Sequence, residues 1–209
     1  MTKAINAGTI VILIPWELIM KRVLVLLAEG FEEVEAITPI DYLRRAGITV
    51  TIAAIGDVLT VKGSHGVQIS ADTCLKSLLG EGHSAWDGVV VPGGLPGTDN
   101  IAASKTAGDF LIAMGTAGKL VSAICAAPAR VLFPLGLLAG KKFTCYPGEE
   151  KKVLSAGSNV EWKEERVVVD GNLITSRGPG TAGEFACAII ERLLGDGEGK
   201  KVSGMVLLV

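Results

Sequence analysis

Cys125 lies in the run Ser122-Ala123-Ile124-Cys125-Ala126-Ala127-Pro128, with alanine two places before it and two places after. A sharp turn from a strand into a helix crowds the backbone at those two positions and presents the central side chain, the geometry of a nucleophile elbow. Pro128 suits a helix's first turn, where its missing N–H is no loss. A thiol at that point faces free N–H groups and the positive end of the helix dipole, which favour a thiolate. Its chemistry would be attack by sulfur on an electrophile, or oxidation of the sulfur itself. The same run suits a buried core cysteine equally well.

The elements around Cys125 alternate between strands and helices. Val23–Leu27 is a continuous apolar run, as expected of a strand buried on both faces. A helix is expected over Glu32–Ala46, with Val34, Ile37, Ile40 and Leu43 as its apolar positions and Gly47 as its stop. Strands are expected at Ile48–Ala54, Gly88–Val91 and Leu120–Ile124, and helices at Ser104–Thr116, Ala126–Leu132 and Glu149–Ser155. Val58–Val61 and Val67–Ile69 read as a hairpin about Gly63-Ser64-His65-Gly66, and Val167–Val169 and Leu173–Thr175 as one about Asp170-Gly171. Thr181–Leu194 reads as a last helix, opened by a capping box of Thr181 and Glu184, before the apolar tail Met205–Val209.

This order predicts an α/β fold, a three-layer sandwich with an open, mostly parallel central sheet and helices on both faces. Ligands of such sheets bind beyond the carboxyl ends of the strands. Three strand ends carry unusual residues: Glu29–Glu35, Pro92–Gly97 and Cys125–Pro128. Their convergence on one crevice is the main functional expectation.

Composition excludes other classes. At 209 residues the chain is long enough for one domain, and its net charge of −2 offers no basic excess for nucleic acid. With 49% hydrophobic residues it has the material for a full core. Cys74, Cys125, Cys145 and Cys187 are scattered without a CxxC, and His65 and His83 are the only histidines. A structural metal site is therefore not expected, and a reducing, cytoplasmic location is. Residues 1–19 differ from the rest: Ile10–Ile14 is too short to span a membrane and lacks the flanks of a signal peptide. They are read as an N-terminal extension upstream of a natural start at Met20, or alternatively as supplying an extra edge strand from Ile10–Ile14. The single domain is then 20–209.

Five segments in order carry a specific likeness: Ala28-Glu29-Gly30-Phe31-Glu32-Glu33-Val34-Glu35, Arg44-Arg45-Ala46-Gly47, Val91-Pro92-Gly93-Gly94, Ala123-Ile124-Cys125-Ala126, and Ser176-Arg177-Gly178-Pro179-Gly180-Thr181. From residue 21 onward the chain resembles the ThiJ/PfpI superfamily, whose fold is flavodoxin-like, and in particular the branch of the parkinsonism-associated protein deglycase. The resemblance implies that Cys125 is the reactive cysteine and Glu35 the acid touching its sulfur. It also implies that Gly93, Gly94 and Ala126 supply backbone N–H groups beside the sulfur. A carboxylate beside a thiolate is a like-charge pair, so one member keeps a proton, and Glu35 is expected to be that member. Read without the resemblance, Glu35 is a solvated helix-face acid beside Glu32 and Glu33. Many relatives carry a histidine where Tyr146 stands, and protease-like members carry one where Ala126 stands. A strict Cys-His mechanism and peptidase activity are both disfavoured.

Tyr146, Arg177 and Pro179 are the remaining pocket candidates. His65 and His83 read as surface residues, and Cys145 as packing. The implied activity is a cofactor-independent deglycase or glyoxalase acting on methylglyoxal or its early protein adducts, in a homodimer. The alternatives are a redox-sensing chaperone whose cysteine becomes a sulfinate and, more weakly, a role in thiamine-precursor synthesis.

Overall fold

The computed structural model describes residues 20–157 and 159–208, and the backbone of residues 2–7 and 10–15. Residues 1, 8, 9 and 16–19 of the expected N-terminal extension, including its junction with the domain, lie outside the described residues. Strands β1 (Thr2–Ala7) and β2 (Ile10–Pro15) pair antiparallel in a sheet of their own, so Ile10–Ile14 is not an edge of the central sheet.

The chain continues as β3 (Arg22–Leu27), α1 (Glu33–Arg45), β4 (Thr49–Ala54), the hairpin β5 (Thr60–Lys62) and β6 (Gln68–Ser70), then β7 (Thr73–Cys74) and α2 (Leu75–Leu78). β8 (Gly88–Val91), α3 (Gly97–Ala103), α4 (Lys105–Thr116) and β9 (Leu120–Ile124) follow. After a π-helical stretch, Pro128–Leu132, come β10 (Lys142–Phe143), α5 (Glu150–Ser155), β11 (Glu161–Trp162), β12 (Val167–Asp170) and β13 (Leu173–Ser176). Helices α6 (Ala182–Leu194) and α7 (Glu198–Met205) close the chain.

Seven strands form the central sheet in the order β12-β13-β9-β8-β3-β4-β7, parallel throughout except for β12 against β13. The side chains of β3 alternate between two cores. Leu24 and Leu26 pack with Phe110, Leu111 and Met114 of α4, and Val23, Val25 and Leu27 with Ile40 and Leu43 of α1 and Phe185 and Ile189 of α6. All five are fully buried, each worth about 1.5–3 kcal/mol of transfer free energy. The apolar run is thus explained by burial on both faces, in the expected three layers. The order of the strands reverses direction between β3 and β8, which opens a crevice at their carboxyl ends, between Glu29–Glu35 and Pro92–Gly97.

Four local expectations are corrected. Val34 and Ile37 point outward, 48% and 43% exposed, and the buried stripe of α1 is instead Glu33, Glu35, Ala36, Pro39, Ile40 and Leu43. Val58 stays outside β5 and is 70% exposed. The hairpin expected at Asp170-Gly171 turns through Gly171-Asn172, because Asp170 pairs with Leu173. Thr181 and Glu184 do not form a capping box. The Thr181 hydroxyl is 2.6 Å from Ser176 Oγ, accepts the Gly178 N–H at 3.1 Å and lies 2.8 Å from the Gly178 carbonyl, while Glu184 pairs with Arg166. The threonine turned inward because the buried Gly178 backbone needed partners. Replacing Thr181 by Val should therefore cost about 1–3 kcal/mol in urea unfolding, whereas Glu184→Ala should cost under about 0.5 kcal/mol. Equal losses would restore the capping box.

Candidate active site

Strand β9 is fully buried, and Ser122 Oγ ties it to β8 by donating to the Val89 carbonyl at 2.7 Å. The chain then reverses sharply at Cys125, which has φ +65°. Such a left-handed conformation costs a non-glycine residue about 1–3 kcal/mol, and its neighbours hold it in place. The Cys125 N–H donates to the Ser176 carbonyl at 2.9 Å, and the Cys125 carbonyl accepts the Tyr146 N–H at 2.7 Å. Ala123 and Ala127 are wholly buried on either side, so larger side chains would not fit the bend.

The bend leaves Cys125 half-buried, with its sulfur accepting the N–H groups of Ala126 and Gly94 and hydrogen-bonded to Glu35. Glu35 is completely buried. Its Oε2 accepts the Gly93 N–H at 2.8 Å, so this N–H serves the acid rather than the sulfur. A Cβ on Gly93 would stand 2.5 Å from both Cys125 Cβ and Glu35 Oε2, which is why only glycine fits between them. Gly94 has φ +94° and packs directly on the Phe31–Glu32 backbone, bringing the two loops together. Glu32 caps α1 by accepting the Glu35 N–H at 2.7 Å and thereby sets the start of the helix.

Burial, followed by the nearby Glu32 charge, pushes the Glu35 carboxyl up to about 7, against the hydrogen bonds from Cys125 and Gly93. The Cys125 thiol is raised as well, first by burial and then by an ionised Glu35, while the N–H groups of Ala126 and Gly94 act in the opposite sense. The helix end therefore does not release the thiol proton by itself. Sulfur and carboxyl form one buried pair that resists carrying two negative charges. The second oxygen of Glu35, Oε1, is buried and has no protein partner among the described residues.

Of the other expected site residues, Tyr146 lies closest. Its ring packs on Gly178, where a Cβ would come within 3.4 Å of Tyr146 Cδ2 and 3.9 Å of Glu35 Oε1, and the side chain is half exposed. Pro179 is exposed beside it. Arg177 turns to Glu164, at 3.4 Å. Cys145 packs into the core under α4. Among residues that sequence reasoning passed over, Glu33 is buried against the β5–β6 hairpin turn. Its Oε1 accepts the N–H groups of His65 and Val67, and its Oε2 faces His65 Nδ1 at 2.9 Å. His65 is thus exposed yet tied to Glu33. Glu32, Glu33 and His65 bring ligand atoms within 4.8 Å of one another, but the Glu33 oxygens already hold the β5–β6 hairpin onto α1. The only sequence sign of Glu33's role was Gly63, whose Cβ would overlap the Glu33 carboxyl.

The DJ-1/PfpI family profile matches residues 21–192. The chain belongs to this family. It is 44% identical to Protein dj-1beta of Drosophila melanogaster over 90% of this chain and 97% of that protein. The crystal structure of Drosophila DJ-1beta superposes with a TM-score of 0.82, covering 90% of this chain and 98% of that one at 43% identity. Protein DJ-1 homolog B of Arabidopsis thaliana is 40% identical, and there the chain spans 42% of the relative's length. A protein of Pyrococcus abyssi named a deglycase is 34% identical over 76% of this chain and 91% of its own. Among the described residues, no helix is long and apolar enough to cross a membrane.

Because the folded Glu35 keeps its proton to about pH 7 and an unfolded glutamate ordinarily releases it near 4.5, the folded state binds more protons between those values. The stability tied to this proton is complete below about 4.5 and is lost as pH rises through 7. Urea unfolding across that range should show the loss in wild type and a flatter profile in Glu35→Gln. Parallel profiles would contradict the raised acid.

Proposed function

We propose that this protein is a cysteine-dependent deglycase or glyoxalase acting on a small dicarbonyl such as methylglyoxal, or on its early adducts with protein amines and thiols. The observation that carries the reading is the buried Glu35, protonated to about pH 7, hydrogen-bonded to a half-buried sulfur that also accepts two backbone N–H groups. The relative named a deglycase supports the same class of reaction.

In this reading the thiol proton ends on Glu35 and sulfur adds to the aldehyde carbon. The C=O π pair moves to oxygen, which takes the proton from Glu35, leaving a hemithioacetal. Glu35, now a carboxylate, moves the proton on that carbon to the ketone oxygen, and an enediol forms. It then takes the proton of the first hydroxyl and delivers it to the adjacent carbon, which gives a thioester of a hydroxy acid. Water cleaves the thioester, releasing the acid and restoring the thiol. Atoms balance with water alone, the aldehyde being oxidised at the expense of the neighbouring ketone. The N–H groups of Gly94 and Ala126 favour the sulfur's negative charge before attack. Tyr146 is a poor base near neutral pH, so proton transfer falls to Glu35 alone. The route uses no metal or organic cofactor. Val34 and Ile37, exposed on α1, suit the homodimer that the resemblance implies.

Methylglyoxal consumption and lactate formation test this directly. Cys125→Ala should abolish both, and Glu35→Gln should slow them by about a hundredfold, the lower end of the range for one acid–base group. Equal rates in wild type and Cys125→Ala would remove the cysteine from the mechanism.

A second reading uses the same donors, since Glu35 and the two N–H groups would also hold a sulfinate. Under mild peroxide, intact mass should then show two oxygens added at Cys125 before the other three cysteines. Indiscriminate oxidation would reject a sensor role.

A further inference from the structure

Arg130 follows Cys125 by five residues, in the π-helical stretch, and its guanidinium reaches two other segments of the site. Nε and Nη2 donate to the two Glu149 oxygens at 3.0 and 2.8 Å, and Nη1 donates to Asp99 Oδ1 at 3.0 Å. Asp99 stands in the first turn of α3, which is locked to the Gly93-Gly94 loop: the Thr98 N–H and hydroxyl both donate to the Gly94 carbonyl, at 2.9 and 3.0 Å. Glu149 closes the turn that begins at Tyr146, its N–H donating to the Tyr146 carbonyl at 3.1 Å. Tyr146 is in turn tied to the Cys125 carbonyl.

One planar fork therefore joins the segments that carry the nucleophile, a sulfur-facing N–H donor and the aromatic rim. The Arg130 and Glu149 side chains are 29% and 19% exposed, against 87% and 62% for the surface pair Lys105 and Asp109. A bidentate pair with that much shielding fixes geometry as well as charge. Lysine carries the same charge without the fork and cannot hold both carboxylates in this arrangement.

The geometry points to Arg130 as a positioning residue of the cysteine site, holding the Gly94 N–H and the Tyr146 rim in register with Cys125 through Asp99 and Glu149. The assignment rests on Cys125 as the reacting atom and not on the identity of its substrate.

The test compares wild type with Arg130→Met, Arg130→Lys and Glu149→Gln, using two readouts. The first is iodoacetamide alkylation of Cys125 across pH, followed by mass spectrometry. The second is methylglyoxal conversion, resolved into kcat and KM. Arg130→Met should slow alkylation and lower kcat by about 10- to 100-fold with KM within about twofold, the scale expected of a small misplacement. Its alkylation midpoint should also move in pH, and Arg130→Lys should recover only part of the loss. A folded Arg130→Met with wild-type alkylation rate and midpoint overturns the assignment, as does full rescue by lysine. Should Arg130→Met not fold, Glu149→Gln carries the same expectation at about three- to tenfold, and an unchanged rate there overturns it. Arg130-dependent alkylation in a wild type that leaves methylglyoxal untouched would reject the proposed substrate while upholding the positioning role.

Discussion

The site depends on the refusal of two neighbouring acids to ionise together. Glu35 and Cys125 share a hydrogen bond, the acid completely buried and the sulfur half-buried, and the pair resists carrying two negative charges. The N–H groups of Ala126 and Gly94 oppose the rise in the thiol's proton affinity, and the Gly93 N–H opposes that of the acid. Every nearby constraint serves this pair: the positive φ of Cys125, the absent side chain of Gly93, the close approach of Gly94 to the Phe31–Glu32 backbone.

The fold supplies these constraints from three separate strand ends. Parallel strands deliver their carboxyl ends to the same edge, and the reversal of strand order between β3 and β8 leaves a gap there for loops to meet. Two cores, one on each face, then fix the strands to which the loops are anchored. A conformation as costly as the bend at Cys125 persists only because β9 is immobilised on both faces and on both edges. Stability stored in the sheet is used to hold a strained residue at the end of β9.

The acids of the site differ in what they touch. Glu33, one residue before Val34 and two before Glu35, is buried like Glu35 but spends its oxygens on the hairpin turn. Glu32 caps the helix and raises the proton affinity of Glu35 by its charge. Three acids of one short segment thus have three roles, assigned by which neighbours each one meets.

The strand order in the sequence, the apolar runs of β3, β8 and β9, and the small residues flanking Cys125 determined the layered fold and the position of the bend, because burial on two faces and backbone crowding leave direct marks on residue type. The burial of Glu33 and Glu35, with Val34 and Ile37 turned outward, left no such mark. Hydrophobic spacing along α1 placed Ile40 and Leu43 inside as found but grouped Val34 and Ile37 with them, and only packing against the sheet and the Gly93 loop decided which side of the first turn faced inward. Thr181 is a similar case: its motif fits a helix cap, but the buried Gly178 backbone and Ser176 competed for the hydroxyl. Local patterns record what a residue does to its own segment, whereas the Arg130 fork and the meeting of sulfur with acid arise from groups 19 to 90 residues apart in the chain, brought together only when the sheet closes.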